Sequence, residues 1–285
     1  MWNIAQRNLK IYFRDRSAVF FSLLAVFIII GLYVLFLGDN LANSLKDAGE
    51  YAKPLVNNWI VAGLLAVTSI TTTMGAFGIM VEDRAKKMLK DFAASPIKRS
   101  SLAGGYILSS VFIGIIISIV ALILIETYVV VDGGQLLTLL KLLQVLGIIV
   151  LSVISGTALV FFLVTFFRSQ NAFATASTVI GTLIGFITGI YIPIGSLPDA
   201  VQFVIKVFPV SHAAVLFRQV FMEQSMADAF ANAPAEVSKS FQETMGVTYS
   251  FGDFTVSPLM SILVLLATTV IFYLLAILNL SRKNK

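Results

Sequence analysis

The chain has 285 residues, 58% of them hydrophobic and only 12% charged, with a formal net charge of +5. A soluble domain carries roughly 25% charged residues, and here the apolar residues fall in long unbroken runs, so the composition excludes a soluble protein with a large core and fits an integral membrane protein. There is no cysteine and a single histidine, His212, which excludes disulfides, iron–sulfur clusters and cysteine or multi-histidine metal sites.

In chain order, the first stretch, 1–17, sets Trp2, Ala5, Leu9, Tyr12 and Phe13 against Arg7, Lys10 and Arg14, the pattern of an amphipathic helix lying in the membrane interface. The apolar run 18–38 exceeds the core of a signal peptide and is read as a first span, not a cleaved leader. Runs of crossing length follow at 57–81, 103–125, 138–167, 172–192 and 258–280. The expectation is an all-α membrane protein with six transmembrane helices, built as a single domain over 1–285.

A further apolar stretch, 200–222, contains Lys206, Pro209, His212 and Arg218. Each Lys or Arg near the centre of a span costs about 2.5–3.5 kcal/mol on insertion scales, and a central proline breaks a helix. This stretch is expected instead as two short amphipathic helices that dip into the outer leaflet and return, within the outer loop 193–257. Pro234 opens another short helix in that loop, with Val237, Phe241 and Met245 on one side.

Six spans place both termini on one side. That side carries fourteen Lys and Arg against five on the other, with Lys141 at a boundary, so the termini are expected to be cytoplasmic. Six of the fourteen lie in the loop 82–100, at Arg84, Lys86, Lys87, Lys90, Lys98 and Arg99. On a helical wheel of 82–94, Ala85, Met88, Leu89, Phe92 and Ala93 form an apolar stripe, and Pro96 stops the helix. Such a helix either lies on anionic lipid or docks a soluble partner. The short stripe with its two alanines makes a weak membrane anchor, which favours docking.

Inside the apolar runs, Ser177, Gly181, Gly185 and Gly189 recur every fourth residue and form a small-residue ridge for close helix packing. Hydroxyls gather at Thr68, Ser69, Thr71, Thr72 and Thr73 and again at Thr175, Thr178, Thr182 and Thr188. Back-bonding to their own helix is one use for them and lining a path is another. Glu126, Lys141 and Arg168 all lie toward span ends, which argues against a proton- or ion-coupled carrier with a buried carboxylate. No G-x-x-x-x-G-K-[ST] loop is present to cradle phosphates, and no Ser/His/Asp arrangement is found around the single histidine, His212 in the outer hairpin, so no catalytic residue is assigned. His212 is read as an interfacial polar residue.

The order of these features resembles the permease subunits of the type-2 ABC exporter family. The resemblance rests on the amino-terminal amphipathic helix and on an acidic residue and basic turn leading through "DFAASPIKRSSLAGGYILSS" into the third span. It rests also on "IPIGSLPDAVQFVIKVFPVSHAAVLFRQVFM" after the fifth span, and on a short basic tail after the sixth. It implies that 82–100 is a cytoplasmic coupling helix seated in a groove of a separate ATPase subunit. Arg84, Lys87, Leu89 and Phe92 would be contacts, with Glu82 and Pro96 fixing the ends. It also implies two permease copies, identical or homologous, with two ATPase subunits that bind the ATP and Mg. Thr68, Thr72, Thr178 and Thr182 would line a path between the copies, and the outer hairpin, turning at Pro193, Pro198 and Pro209, would be a gate. This chain would bind no cofactor or nucleic acid and would export an apolar or amphipathic cargo (drug, peptide or lipid-like) across a bacterial plasma membrane. A secondary carrier, and a membrane sensor or immunity protein without transport, remain the other readings.

Overall fold

The computed structural model of the protein describes residues 1–33, 35, 51–88 and 97–282. Two helices meet at Asp15: α1 (Trp2–Arg14) and α2 (Arg16–Leu32). Four long helices follow, α3 (Ala52–Ala85), α4 (Arg99–Val131), α5 (Leu139–Val164) and α6 (Gln170–Ile187). A 3₁₀ turn at Ile194–Ser196 leads into α7 (Asp199–Val207), α8 (Pro209–Ala229) and α9 (Ala235–Met245). A two-stranded hairpin, β1 (Ser250–Phe251) with β2 (Phe254–Thr255), precedes the last helix, α10 (Pro258–Arg282).

Helix ends follow from local chemistry. Asp15 accepts from the Ala18 amide at 3.1 Å and Ser169 from the Ala172 amide at 3.1 Å, so each caps the helix that follows it. α6 stops in a Schellman motif: Gly189 takes a left-handed φ of 69°, its amide bonds Phe186, and the Ile190 amide reaches back to Gly185. The run expected over 172–192 therefore ends as a helix at Ile187. Pro209 occupies the first turn of α8, where its missing N–H costs nothing.

α3 is the axis of the bundle, 83% buried over its most apolar window, and packs against α2, α4, α5, α6 and α8. α6 and α10 lie outside, at 17% and 22%. Expulsion of apolar surface from water does not hold helices together in lipid; close van der Waals contact does. Glycines at the crossings allow it: a Cβ on Gly114 would sit 2.6 Å from Val153, and one on Gly156 3.1 Å from Ile70. Gly105 does the same for α1, because a Cβ there would be 2.7 Å from Ile4.

The protein is an all-α membrane protein. Among the described residues five helices are long and apolar enough to cross a membrane (α3, α4, α5, α6 and α10), and the number reaches seven if the bent pairs α1–α2 and α7–α8 each count as one span. Two expectations need correction. The stretch 200–222 does break into two helices, at Phe208 with an 86° bend, and α7 is short and amphipathic, but α8 is neither: it runs for 21 residues, and every residue from Val210 through Arg218 is buried. The cause is its position, enclosed by α3, α5 and α10. Nor does one helix cover 82–94. α3 continues through Ala85, and Lys87 then takes a left-handed φ of 62°, which turns the chain out of the helix. The stripe residues Leu89, Phe92 and Ala93, with Pro96, lie outside the described residues.

Candidate functional site

The basic loop leaves the bundle from the end of α3. Two residues there, Asp83 and Arg84, are turned inward. Asp83, with its side chain 4% exposed, accepts both arms of the Arg7 guanidinium at 2.6 and 2.8 Å and the Tyr106 hydroxyl at 2.5 Å. A two-armed pair of this kind fixes orientation as well as distance. The hydrogen-bonded Asp83 carboxylate holds the Arg7 guanidinium above its ordinary pKa. Beside it Asn8 donates to Ser109 at 3.2 Å. Together these bonds tie α1 to α3 and α4.

Arg84 reaches the other way. Its Nη1 donates to the carbonyls of Val164 at 3.1 Å and Phe167 at 2.6 Å, at and just past the carboxyl end of α5. Asn279 of α10 donates to Thr165 in the same turn at 2.6 Å. Four of the long helices and α1 thus converge at one end through side chains near the root of the loop. Glu82 stays near the surface and pairs with Lys86 at 2.5 Å, and Lys87 is exposed.

The four threonines singled out for a path are not brought together. Thr68 and Thr72 are buried in the bundle and donate to Leu64 and Thr68 of their own helix at 2.8 and 2.7 Å. Thr178 and Thr182 lie exposed on α6 and donate to Ala174 and Thr178 at 3.1 and 3.0 Å. Back-bonding accounts for all four hydroxyls. The small-residue ridge also divides. Ser177 and Gly181 line a crevice of about 540 Å³ bounded by α1, α2, α3 and α6. Gly185 lies under the Tyr191 ring, and Gly189 ends the helix.

At the opposite end Pro193, Pro198 and Pro209 each begin an element: the 3₁₀ turn, α7 and α8. The residue that holds this end together is Arg218. It is fully buried, donates to the Thr188 carbonyl at 2.7 Å and the Gly246 carbonyl at 3.4 Å, and lies 5.0 Å over the Trp59 ring. Both carbonyls close a helix, where the backbone dipole favours a cation. His212 bridges Ser261 at 3.1 Å and the Lys206 carbonyl at 3.0 Å, which docks α8 on α10.

Asp83, Tyr106 and Trp59 escaped the sequence reading as functional residues. Asp83 had one available signal, a second carboxylate beside Glu82 at the end of an apolar run that already contains enough charge to meet water. Tyr106 and Trp59 had none, since their partners lie 23 and 159 residues away in sequence.

No curated protein matches this chain. A family profile described as ABC-2 family transporter protein matches residues 38–278, from beyond α2 almost to the end of α10. With most of the chain inside that match and a bundle of apolar helices of crossing length, the protein belongs to the ABC-2 transporter family and is a multi-pass membrane permease.

Proposed function

We propose that this chain is the membrane-spanning subunit of an ATP-driven exporter and works with a separate ATPase. In this reading six helices cross the plasma membrane, both termini and the loop 82–100 are cytoplasmic, and α7–α8 form a re-entrant outer hairpin. Two such chains, or this chain and a homologue, assemble with two ATPase subunits that hold the ATP and Mg. The chain itself catalyses no bond chemistry.

The observation that carries the reading is the mount beneath the basic loop. Asp83 is clamped by Arg7 and Tyr106, and Arg84 holds the end of α5. A push delivered to the loop reaches α1, α3, α4 and α5 through short polar contacts in a poorly solvated setting, where such contacts are strong. Rigid-body movement of the helices then follows. The basic residues Lys86, Lys87, Lys98 and Arg99 supply a surface for an acidic groove, and Leu89 and Phe92 supply its apolar contact.

The test is a mild-detergent pull-down of the tagged chain from native membranes, with the co-purifying proteins sequenced. An ATPase with a phosphate-binding loop is expected with the wild type and lost with Leu89→Asp combined with Phe92→Asp. Absence of any ATPase, even after cross-linking, turns the reading toward a secondary carrier or a sensor.

A further inference from the structure

We infer that the tip of the β1–β2 hairpin, together with one face of α7, inserts into the lipid leaflet at the amino-terminal end of α10. The hairpin is fixed at its base. Tyr249 and Val256 are buried in a small core with Ile205 and Val215, and the Val256 amide bonds the Tyr249 carbonyl at 2.8 Å. Beyond that base Phe251 and Phe254 stand directly opposite each other. Opposed residues of an antiparallel pair put their side chains on the same face. Gly252 makes the tight turn between them with a left-handed φ of 61°. Both phenylalanines are exposed.

Phe251 meets Phe203 of α7 edge to face, with ring centroids 6.2 Å apart. Val204 and Val207 share that side of α7, and these two, Phe203 and Phe254 are each more than half exposed. An apolar surface of this kind marks a contact with a protein partner or with lipid.

Its position decides between them. The Lys206 amine donates to the Ser250 carbonyl at 3.2 Å, and His212 bridges the Lys206 carbonyl and Ser261. The end of α7 and the hairpin therefore sit level with the first turn of α10. From Leu259 to Arg282 that helix rises about 35 Å, and the hydrocarbon core of a bilayer is about 30 Å thick. Leu259, Leu263, Leu266 and Val270 are exposed along it, so the surface that lipid covers reaches its first turn. The aromatic patch continues that surface, which is why its occupant is lipid and not a folded partner. Interfacial elements bury an apolar face about 5–10 Å into the boundary between headgroups and acyl chains, a depth that leaves the exposed Asp253 at the turn among the headgroups. That this leaflet is the outer one rests on the permease reading; the depth does not.

The chain has no cysteine, so a single introduced one carries a nitroxide label without competition. Full-length Phe254→Cys and Phe203→Cys are labelled and reconstituted in phosphatidylcholine vesicles. Leu263→Cys on α10 is the lipid reference, and Lys239→Cys, exposed on α9, is the water reference. Power-saturation electron paramagnetic resonance compares collisions with oxygen, which partitions into lipid, and with a water-soluble nickel chelate. The oxygen-to-nickel ratio at 254 and 203 is expected to exceed that at 239 and approach that at 263. Melting temperatures near the wild type show that each variant remains folded. A ratio at 254 equal to that at 239 overturns the insertion of the hairpin; if 203 alone stays high, only α7 dips into the leaflet. A label at 254 that is immobilised and shielded from both colliders also overturns it, and shows that a second copy or another protein covers the patch. None of these outcomes depends on whether an ATPase co-purifies, so either proposal can fail alone.

Discussion

The guanidinium of Arg218 donates a 2.7 Å hydrogen bond to the carbonyl of Thr188, and this bond joins the carboxyl end of α6 to the buried helix α8. With the second bond to Gly246 and the Trp59 ring beneath, one side chain connects α3, α6, α8 and the turn after α9. Arg218→Ala leaves two carbonyls short of a donor and opens a large cavity, at a cost of about 3–5 kcal/mol. Arg218→Met keeps the volume and removes a buried charge along with its bonds, so it loses less. Melting temperatures in one detergent should fall in the order wild type, Met, Ala. A Met variant as unstable as the Ala variant would mean that the bonds, not the packing, are decisive.

The Arg7–Asp83 pair is asymmetric. Asp83 is almost fully buried, whereas the Arg7 side chain is 29% exposed. Removing Arg7 strands a carboxylate with Tyr106 as its remaining partner, while Asp83→Asn leaves a guanidinium that can reach water. Arg7→Ala is therefore expected to cost about 2–3 kcal/mol, below the range for fully buried pairs because of that exposure. Asp83→Asn should cost less. Thermal unfolding of the two variants checks the order, and the reverse order would falsify the assignment of Asp83 as the buried member.

Arg84 serves the end of α5 through two carbonyls, which a lysine can serve only in part. Arg84→Lys should lose about 1 kcal/mol and Arg84→Ala about 2 kcal/mol. Hydrogen exchange should localise the loss to 161–167. If exchange there is unchanged in Arg84→Ala, the capping role is wrong and the side chain is free to act at the loop surface.

The glycines of α6 should separate under substitution. Gly181→Ala meets open space and adds helix propensity, so it should be neutral or stabilising by up to about 1 kcal/mol. Gly189→Ala forces a left-handed residue and a Cβ 2.8 Å from Ile194, and should cost about 2 kcal/mol. Melting temperatures of the two variants side by side decide it. Similar shifts would show that the ridge acts as a single packing surface.

The membrane class and most of the long helices are legible in the chain because lipid leaves so few options. Every backbone polar group must be satisfied inside its own segment, so an apolar run of sufficient length reads as a helix. The break at Pro209 was legible for the same local reason, a missing N–H and a fixed φ. The small-residue ridge was visible as a pattern, but its four members do different work. Gly181 faces a crevice, Gly185 a tyrosine ring, and Gly189 a helix end, and spacing alone does not distinguish them.

What the sequence determined by itself is therefore the solvent: which stretches lie in hydrocarbon, and where charge gathers at their ends. Only the tertiary structure decided which charges turn inward. Arg84 and Arg218 read as costs or as surface contacts in one dimension. In the folded chain each meets carbonyls at the ends of helices far away in sequence, Val164 and Phe167 for one, Thr188 and Gly246 for the other. The physical reason is that a helix end leaves its last carbonyls without donors. Which distant cation reaches them depends on how the helices pack, and that is not encoded in any local stretch.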